Sequence, residues 1–299
     1  MRMRRLLCAA VACAALLGAA GSAAAPPGTL DKIRASGTVV LGVADAAAPM
    51  TYALGAQRDY TGYHVELCRR VLQEIAPQAR LQYLELTAQN TLTLVQNGTV
   101  DIVCGAATNN LARQQRVAFS LTTYLSQVRM VVRADSDIHS FAQLAGRTVA
   151  ATTGTTAVQL LRSYGKAHGI EIPVRLGKDH LDSFLMLEAG RAEAFVLDDN
   201  LLAGMVATGR APQAWRITGE VLAAEPIALV LRKDDPAFKQ AVDTVLRRLM
   251  LSGEAEQLYE RWFMAPIPPR GVRLQLPLSD ALRQLFRAPN DLPLETYVR

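Results

Sequence analysis

Histidine and cysteine are scarce in this 299-residue chain, with four of each, and tryptophan occurs twice. Cys8 and Cys13 fall in the first 25 residues, which leaves Cys68 and Cys104 for the body of the protein. No CxxC spacing and no Cys/His cluster occurs, so the sequence offers no metal site and no disulfide framework. Aromatic residues make up 6% of the chain, and no basic patch is interleaved with them, which argues against nucleic acid as a partner. The formal charge of +5 includes Arg2, Arg4 and Arg5; without them it is near +2, and the remaining basic residues are scattered. After residue 25 no apolar run is long enough to cross a bilayer. No Ser-His-Asp arrangement stands out, and nothing points to a nucleotide or a covalent cofactor.

What is present begins with a basic start, an apolar run from Leu6 to Ala20 and the small residues GSAAA. That layout is a secretory signal peptide over residues 1–25, with cleavage near Ala23 or Ala25. A lipoprotein reading at Cys13 would shorten the apolar core to a handful of residues, so it is set aside. The rest is long enough for one large or two ordinary domains. In an exported protein the Cys68 and Cys104 pair can form a disulfide. Cys68 lies in an apolar helical pattern and Cys104 ends an apolar strand, so two buried thiols fit equally well.

Short apolar runs then alternate with helical patterns. TVVLGVA (38–44) reads as a buried strand, and GYHVELCRRVLQEIA (62–76) puts Val65, Leu67, Cys68, Val71, Leu72 and Ile75 near one helical face. LQYLEL (81–86) alternates as a strand, NTLTLVQNG reads as a short helix stopped at Asn97 and Gly98, and TVDIVCG (99–105) is another strand. The pattern restarts with strands at 129–134, 147–152, 173–177 and 193–199, an extended run at 226–236, and two helices after it. This is an α/β organisation of mostly parallel sheets, with a second lobe inserted into the first. Clefts at the carboxyl ends of such strands are the usual place for a small ligand.

Within GAATNNLARQQRVAFS (105–120), a small, turn-prone stretch leads to Arg113 where a helix can begin. Taken alone, Arg113 reads as a solvated surface charge. TTGTT (152–156) follows a strand and opens a helix, which alone reads as helix capping.

Taken in order, TLDKIRASGTVVLGV, QNGTVDIVCGAATNN, TTGTTAVQLL, KDHLDSFLMLEAGRAEAFVLDDNLLAG, LRKDDPAFKQAVDT and the tail SGEAEQLYERWFMAPIPPRGVRLQLPLSDALRQLF carry a specific likeness. The chain resembles periplasmic solute-binding proteins of the polar amino-acid ABC-transporter family (bacterial extracellular solute-binding family 3), nearest the glutamate/aspartate-binding branch. The resemblance runs from about Thr29 to about Asp291. It implies a type II two-lobe fold with a two-strand hinge, residues 28–124 with 227–299 forming one lobe and 125–226 the other. It also implies a monomer without cofactor, which encloses an amino acid by hinge closure and delivers it to a permease in the inner membrane.

By that resemblance Arg113 holds the ligand α-carboxylate, for which a planar guanidinium offers two parallel charged hydrogen bonds. Thr108 adds a hydroxyl and the backbone N–H groups of 106–108 point at the same anion. From the other lobe, Thr152 and Thr155 add hydroxyls at a helix N-terminus, where Gly154 allows close approach. Asp198, or less readily its neighbour Asp199, takes the ligand ammonium, and His180 contacts the distal end of the ligand.

The sequence departs from the branch in the side-chain pocket. Ala44 stands where the branch has an arginine, Ala88 and Thr91 where it has a serine and a second arginine, and Ala106 where it has a serine. Tyr52 is expected beside them. Charge-assisted hydrogen bonds are worth about 1.5–3 kcal/mol each. Two missing arginines therefore weaken glutamate binding by about 3–6 kcal/mol unless other groups compensate, and the expected ligand is a neutral or weakly polar amino acid. Two rival readings share the fold. One is a cyclohexadienyl-dehydratase-like enzyme with His180 and Asp198 as a proton-transfer pair; the other is a sensory amino-acid-binding protein.

Overall fold

The computed structural model describes residues 28–55 and 57–297; the signal peptide expected over residues 1–25 lies outside the described residues. The first part of the chain runs α1 (Thr29–Ser36), β1 (Thr38–Val43), β2 (Ala46–Ala47), β3 (Thr51–Leu54), β4 (Asp59–Thr61), α2 (Tyr63–Ile75), β5 (Arg80–Glu85), α3 (Thr91–Gln96), β6 (Ile102–Thr108), α4 (Leu111–Gln114) and β7 (Val117–Phe119). It continues through β8 (Tyr124–Arg133), β9 (Val149–Thr152), α5 (Thr156–His168), β10 (Val174–Gly177), α6 (His180–Glu188), β11 (Ala194–Asp198) and α7 (Asp199–Thr208). Last come β12 (Trp215–Arg232), α8 (Pro236–Leu251), α9 (Glu254–Tyr259) and α10 (Asp280–Arg287).

The strands join in the order β10-β9-β11-β8-β12-β6-β1-β5, with β7 also on β12. At one end β6, β1 and β5 are mutually parallel; at the other, β10, β9 and β11 are. Between them lie the long antiparallel strands β8 and β12. β12 pairs with β8 between Trp215 and Ile227, then with β6 and β7 up to Arg232, so one strand links the two parallel ends of the sheet. Near the end of the pairing with β8, Glu225 lies opposite Ser126 and Ile227 opposite Tyr124.

Local pattern explains most elements. In α2 the periodic residues Val65, Leu67, Cys68, Val71 and Leu72 are all buried, giving the amphipathic face the sequence spells out. In the far lobe Val128, Met130 and Val132 alternate into a separate core with Phe141, Leu144, Val149 and Leu161. Three expectations need correction. β8 begins at Tyr124 and β12 at Trp215, both well before the apolar runs that announce them, because their first residues mix polar side chains into a ladder that is interrupted between Thr218 and Ala223. The three-stranded sheet β2-β3-β4 has no counterpart in the sequence reading, since its strands are two to four residues long. And Gly105 to Thr108 is not a turn but the end of β6. Among the described residues no helix is long and apolar enough to cross a membrane.

Cys68 and Cys104 are bonded, their Cα atoms 6.1 Å apart and 36 residues apart in sequence. The bond fastens α2 to β6 just before β6 reaches the cleft. A loop of that length removes about 3–4 kcal/mol of chain entropy from the unfolded state. Cys104→Ala, or reduction with a thiol, is therefore expected to lower unfolding stability by about that amount in a denaturant titration. An unchanged midpoint would mean that the bond adds nothing to the packing of α2 on β6.

Candidate functional site

Four strands bring their carboxyl ends to one place. β6 ends at Thr108, β9 at Thr152, β10 at Gly177 and β11 at Asp198. Between them lies a cavity of about 240 Å³, lined among others by Ala88, Gln89, Thr91, Ala106, Thr108, Arg113, Arg116, Gly154, Thr155, Thr156, His180 and Asp198. That volume holds roughly eight waters at about 30 Å³ each, the scale of a small metabolite.

Arg113 enters from α4, whose first turn is capped by Asn110: the Asn110 Oδ1 accepts the Arg113 N–H at 2.8 Å. The guanidinium donates from Nη1 to the Thr108 carbonyl at 3.0 Å and from Nη2 to the Gly154 carbonyl at 3.1 Å. Thr108 and Gly154 stand on opposite walls, so the cation spans the cleft and keeps further N–H groups for an anion. Gly154 has φ +87°, and a Cβ there would lie 2.8 Å from the Ala88 carbonyl carbon and the Gln89 nitrogen. Only glycine allows the walls to meet backbone to backbone at this point.

Asp198 is almost fully buried, and its Oδ1 accepts from the Ser126 hydroxyl at 2.9 Å. Burial first, then the nearby Glu225 carboxylate, push its pKa well above the usual carboxylate range; the Ser126 bond and the Arg113 charge oppose this. Asp199 instead spends its Oδ1 on the backbone N–H groups of Gln127 and Asn200.

His180 opens α6 and shares a 3.0 Å hydrogen bond between its Nδ1 and the Thr152 hydroxyl. The Ser183 hydroxyl donates to the Asp179 carbonyl, so it accepts from Thr152 at 2.9 Å, and Thr152 in turn accepts from Nδ1–H. This chain leaves the His180 Nε2 as an acceptor. Burial lowers the imidazolium pKa to about 4, against the pull of Asp179, so the ring is neutral at ordinary pH.

The cavity gathers eight of the residues expected there: Arg113, Thr108, Thr155, Asp198, His180, Ala106, Ala88 and Thr91. Three others are not on its wall. Thr152 is fully buried and holds His180 and Ser183 rather than facing the cavity. Ala44 follows β1 and donates its N–H to the Thr51 hydroxyl. Tyr52 lies on β3, donates to the Pro268 carbonyl at 2.8 Å and packs edge-on against Trp262. Two hydroxyls are also committed differently than expected: Thr155 donates to the Thr152 carbonyl at 2.8 Å, and Thr108 to Glu225.

Glu225 is the residue the sequence reading missed. It lies on β12 opposite Ser126 of β8, fully buried, and its Oε2 accepts from Thr108 at 2.5 Å and from Thr156 at 3.0 Å, one hydroxyl from each wall. Its Oε1 is buried without a hydrogen-bond partner. Burial raises its pKa above the ordinary 4.5, opposed by the two hydroxyls and Arg113. A lone glutamate between AA and PIALVL was its only signal. Arg116, also missed, stands at the rim and donates to Gln96 and Thr93 on α3. Beside Arg113 stand two buried carboxylates that resist being ionised together, and a cation placed between them would ease that strain. Among the described residues no cluster of His, Cys, Asp or Glu could hold a metal.

Residues 39–265 match the family described as bacterial extracellular solute-binding proteins, family 3. The glutamate/aspartate import solute-binding protein of Escherichia coli is 37% identical over 303 residues, covering 98% of this chain and all of the relative. The L-glutamate/L-aspartate-binding protein of Pseudomonas aeruginosa is 37% identical over 300 residues, 99% of each chain. Among solved structures, a mutant of ArgBP from T. maritima matches with TM-score 0.70 and 27% identity, over 78% of this chain and 98% of that one. The ancestral amino acid-binding protein AncCDT-1, a precursor of cyclohexadienyl dehydratase, matches with TM-score 0.70 and 25% identity, over 78% and 99%. The fold is thus that of two-lobe amino-acid-binding proteins.

A carboxylate whose folded pKa is raised favours the folded state below its unfolded value and loses that contribution as pH climbs through the folded one. Glu225→Gln is therefore expected to match the parent protein below about pH 4.5 and to unfold at a higher temperature than the parent near pH 7. Parallel melting curves across that window would show that Glu225 is not held as a buried charge.

Proposed function

Because the chain belongs to the bacterial extracellular solute-binding proteins, family 3, we propose that it is the substrate-binding component of an amino-acid ABC importer. One observation carries this: a guanidinium and a carboxylate, Arg113 and Asp198, line the same cavity at the carboxyl ends of strands from both lobes. Arg113 takes the α-carboxylate and Asp198 the α-ammonium, with the buried carboxyl group of Glu225 close to the cationic end. The lobes are residues 28–124 with 227–299 and residues 125–226, hinged where β8 and β12 cross. Ligand contacts made from both walls favour the closed arrangement, which is then offered to a permease in the inner membrane.

The side-chain end of the ligand is a hydrogen-bond donor, neutral overall. Ala88, Thr91 and Ala106 line that region without charge, and the His180 Nε2 is an acceptor. An acceptor suits an amide or hydroxyl and repels a second carboxylate. Glutamate and aspartate, named for the E. coli and P. aeruginosa relatives, therefore fit this pocket less well than a neutral analogue such as glutamine or asparagine.

The protein acts in the periplasm as a monomer; the N-terminal sequence and a disulfide between Cys68 and Cys104 both suit an exported protein. It is not an enzyme. His180 keeps its Nδ1 on Thr152 and shares no hydrogen bond with Asp198, so the pair makes no proton relay.

A thermal-shift screen against the common amino acids tests this reading, since a ligand at 100-fold its Kd stabilises by about 2.7 kcal/mol. The expected result is a rise with neutral polar amino acids, and a loss of affinity of about 100-fold or more in Arg113→Met, from forfeiting charged hydrogen bonds of about 1.5–3 kcal/mol each. Submicromolar glutamate binding would overturn the neutral-ligand assignment and give the distal carboxylate to Arg116. Turnover of a cyclohexadienyl acid without amino-acid binding would establish the enzyme instead.

A further inference from the structure

Arg113 sits on a helix of four residues. A helix that short has no stability of its own, so the aim of the guanidinium is set by whatever grips the chain just ahead of it. Thr108 supplies the carbonyl that the guanidinium holds, and Asn110 caps the turn. Between them Asn109 is fully buried, and every polar group it has is engaged. Its N–H donates to the Pro226 carbonyl on the hinge strand at 2.8 Å, and its Oδ1 accepts from the Gln114 amide at 2.8 Å.

The remaining grips come from the far end of the chain. The Asn109 amide donates to the Asp291 carbonyl at 2.9 Å, and the Asn109 carbonyl accepts the Leu294 N–H at 2.8 Å. The Glu295 carboxylate accepts the Leu111 N–H, the first of α4, at 3.1 Å. This terminal stretch is itself fastened to the near lobe. The Asn290 carbonyl accepts the Thr122 N–H at 2.9 Å, and Lys239 pairs with the Asp291 carboxylate at 2.9 Å. It leaves α10 and runs along the outer side of the Arg113 turn, away from the cavity, so it touches no ligand.

We propose that residues 290–297 are a positioning segment of the binding site, holding Asn109 and the first turn of α4 so that Arg113 points across the cleft. The proposal rests on the reading that Arg113 binds the ligand carboxylate. On that reading the affinity for amino acids depends on a stretch of chain that lies outside the cavity.

The test compares the full chain with one ending at Pro289. The measurement is the unfolding temperature with and without an equimolar mixture of the common L-amino acids, titrated upward. The shortened chain is expected to need about tenfold or more amino acid for the half-maximal rise, while its unfolding temperature without amino acids changes little. A synthetic peptide spanning residues 288–299, added in excess, restores the original response, which a general loss of packing would not permit. Should the shortened chain fail to fold, Leu294→Pro combined with Glu295→Ala serves in its place. The first removes one N–H donor and the second one acceptor, and together they are expected to raise the half-maximal concentration about fivefold. A response within about twofold of the full chain in the variant that folds overturns the proposal. Arg113→Met separates the two layers. If it abolishes the response while the tail variants respond normally, only the positioning role fails. If it responds like the full chain, or if the full chain gives no response at all, the reading of Arg113 itself fails and the proposal with it.

Discussion

The site depends on one guanidinium held between two carbonyls on opposite walls. Arg113 donates to Thr108 on its own side and to Gly154 on the other, so the same cation that offers N–H groups to an anion also ties the walls together. Those carbonyl contacts do not neutralise it. Beside it stand Asp198 and Glu225, whose pKa values burial raises, so that the two resist being ionised together. On the proposed reading, a zwitterion places its ammonium beside the two acids and its carboxylate on the guanidinium. Around that head group the walls supply little charge. Ala88, Thr91 and Ala106 bring no charge to the wall, Arg116 stands at the rim, and the imidazole of His180 is locked as a neutral acceptor by a relay through Thr152, Ser183 and Asp179.

Much of this was legible in the chain. The period of α2, the buried run of β1 and the alternation of strand with helix gave the α/β class, because those elements bury a continuous face and their composition has to show it. Arg113, Asp198 and His180 were singled out by likeness to the family, since Arg113 taken alone reads as a surface charge. Other parts left no trace. β2, β3 and β4 are too short for any period to register. Glu225 and Ser126 were missed for a shared reason: they belong to the hinge portions of β12 and β8, where a polar side chain on the cleft face interrupts the apolar pattern that announces a strand. Ala44 and Tyr52 were placed in the pocket by likeness alone, and the local chain turns them elsewhere, Ala44 toward Thr51 and Tyr52 toward Pro268. Thr152 was assigned the right neighbourhood and the wrong task, since a hydroxyl at a strand end can serve its own lobe as readily as a ligand.

β12 has a mechanical consequence. It is a single strand of 18 residues, and it pairs with partners in both lobes on either side of Glu225. On the proposed division into two lobes, their relative rotation would be a flexing of this ladder rather than the swing of a loose connector. Its pivot carries a carboxylate bonded to a threonine from each lobe, so a rotation of even a few degrees at that point strains one bond or the other. A change in the angle between the walls is thereby resisted at the strand itself, by Glu225 and its two threonines, as well as across the cavity by Arg113 and Gly154.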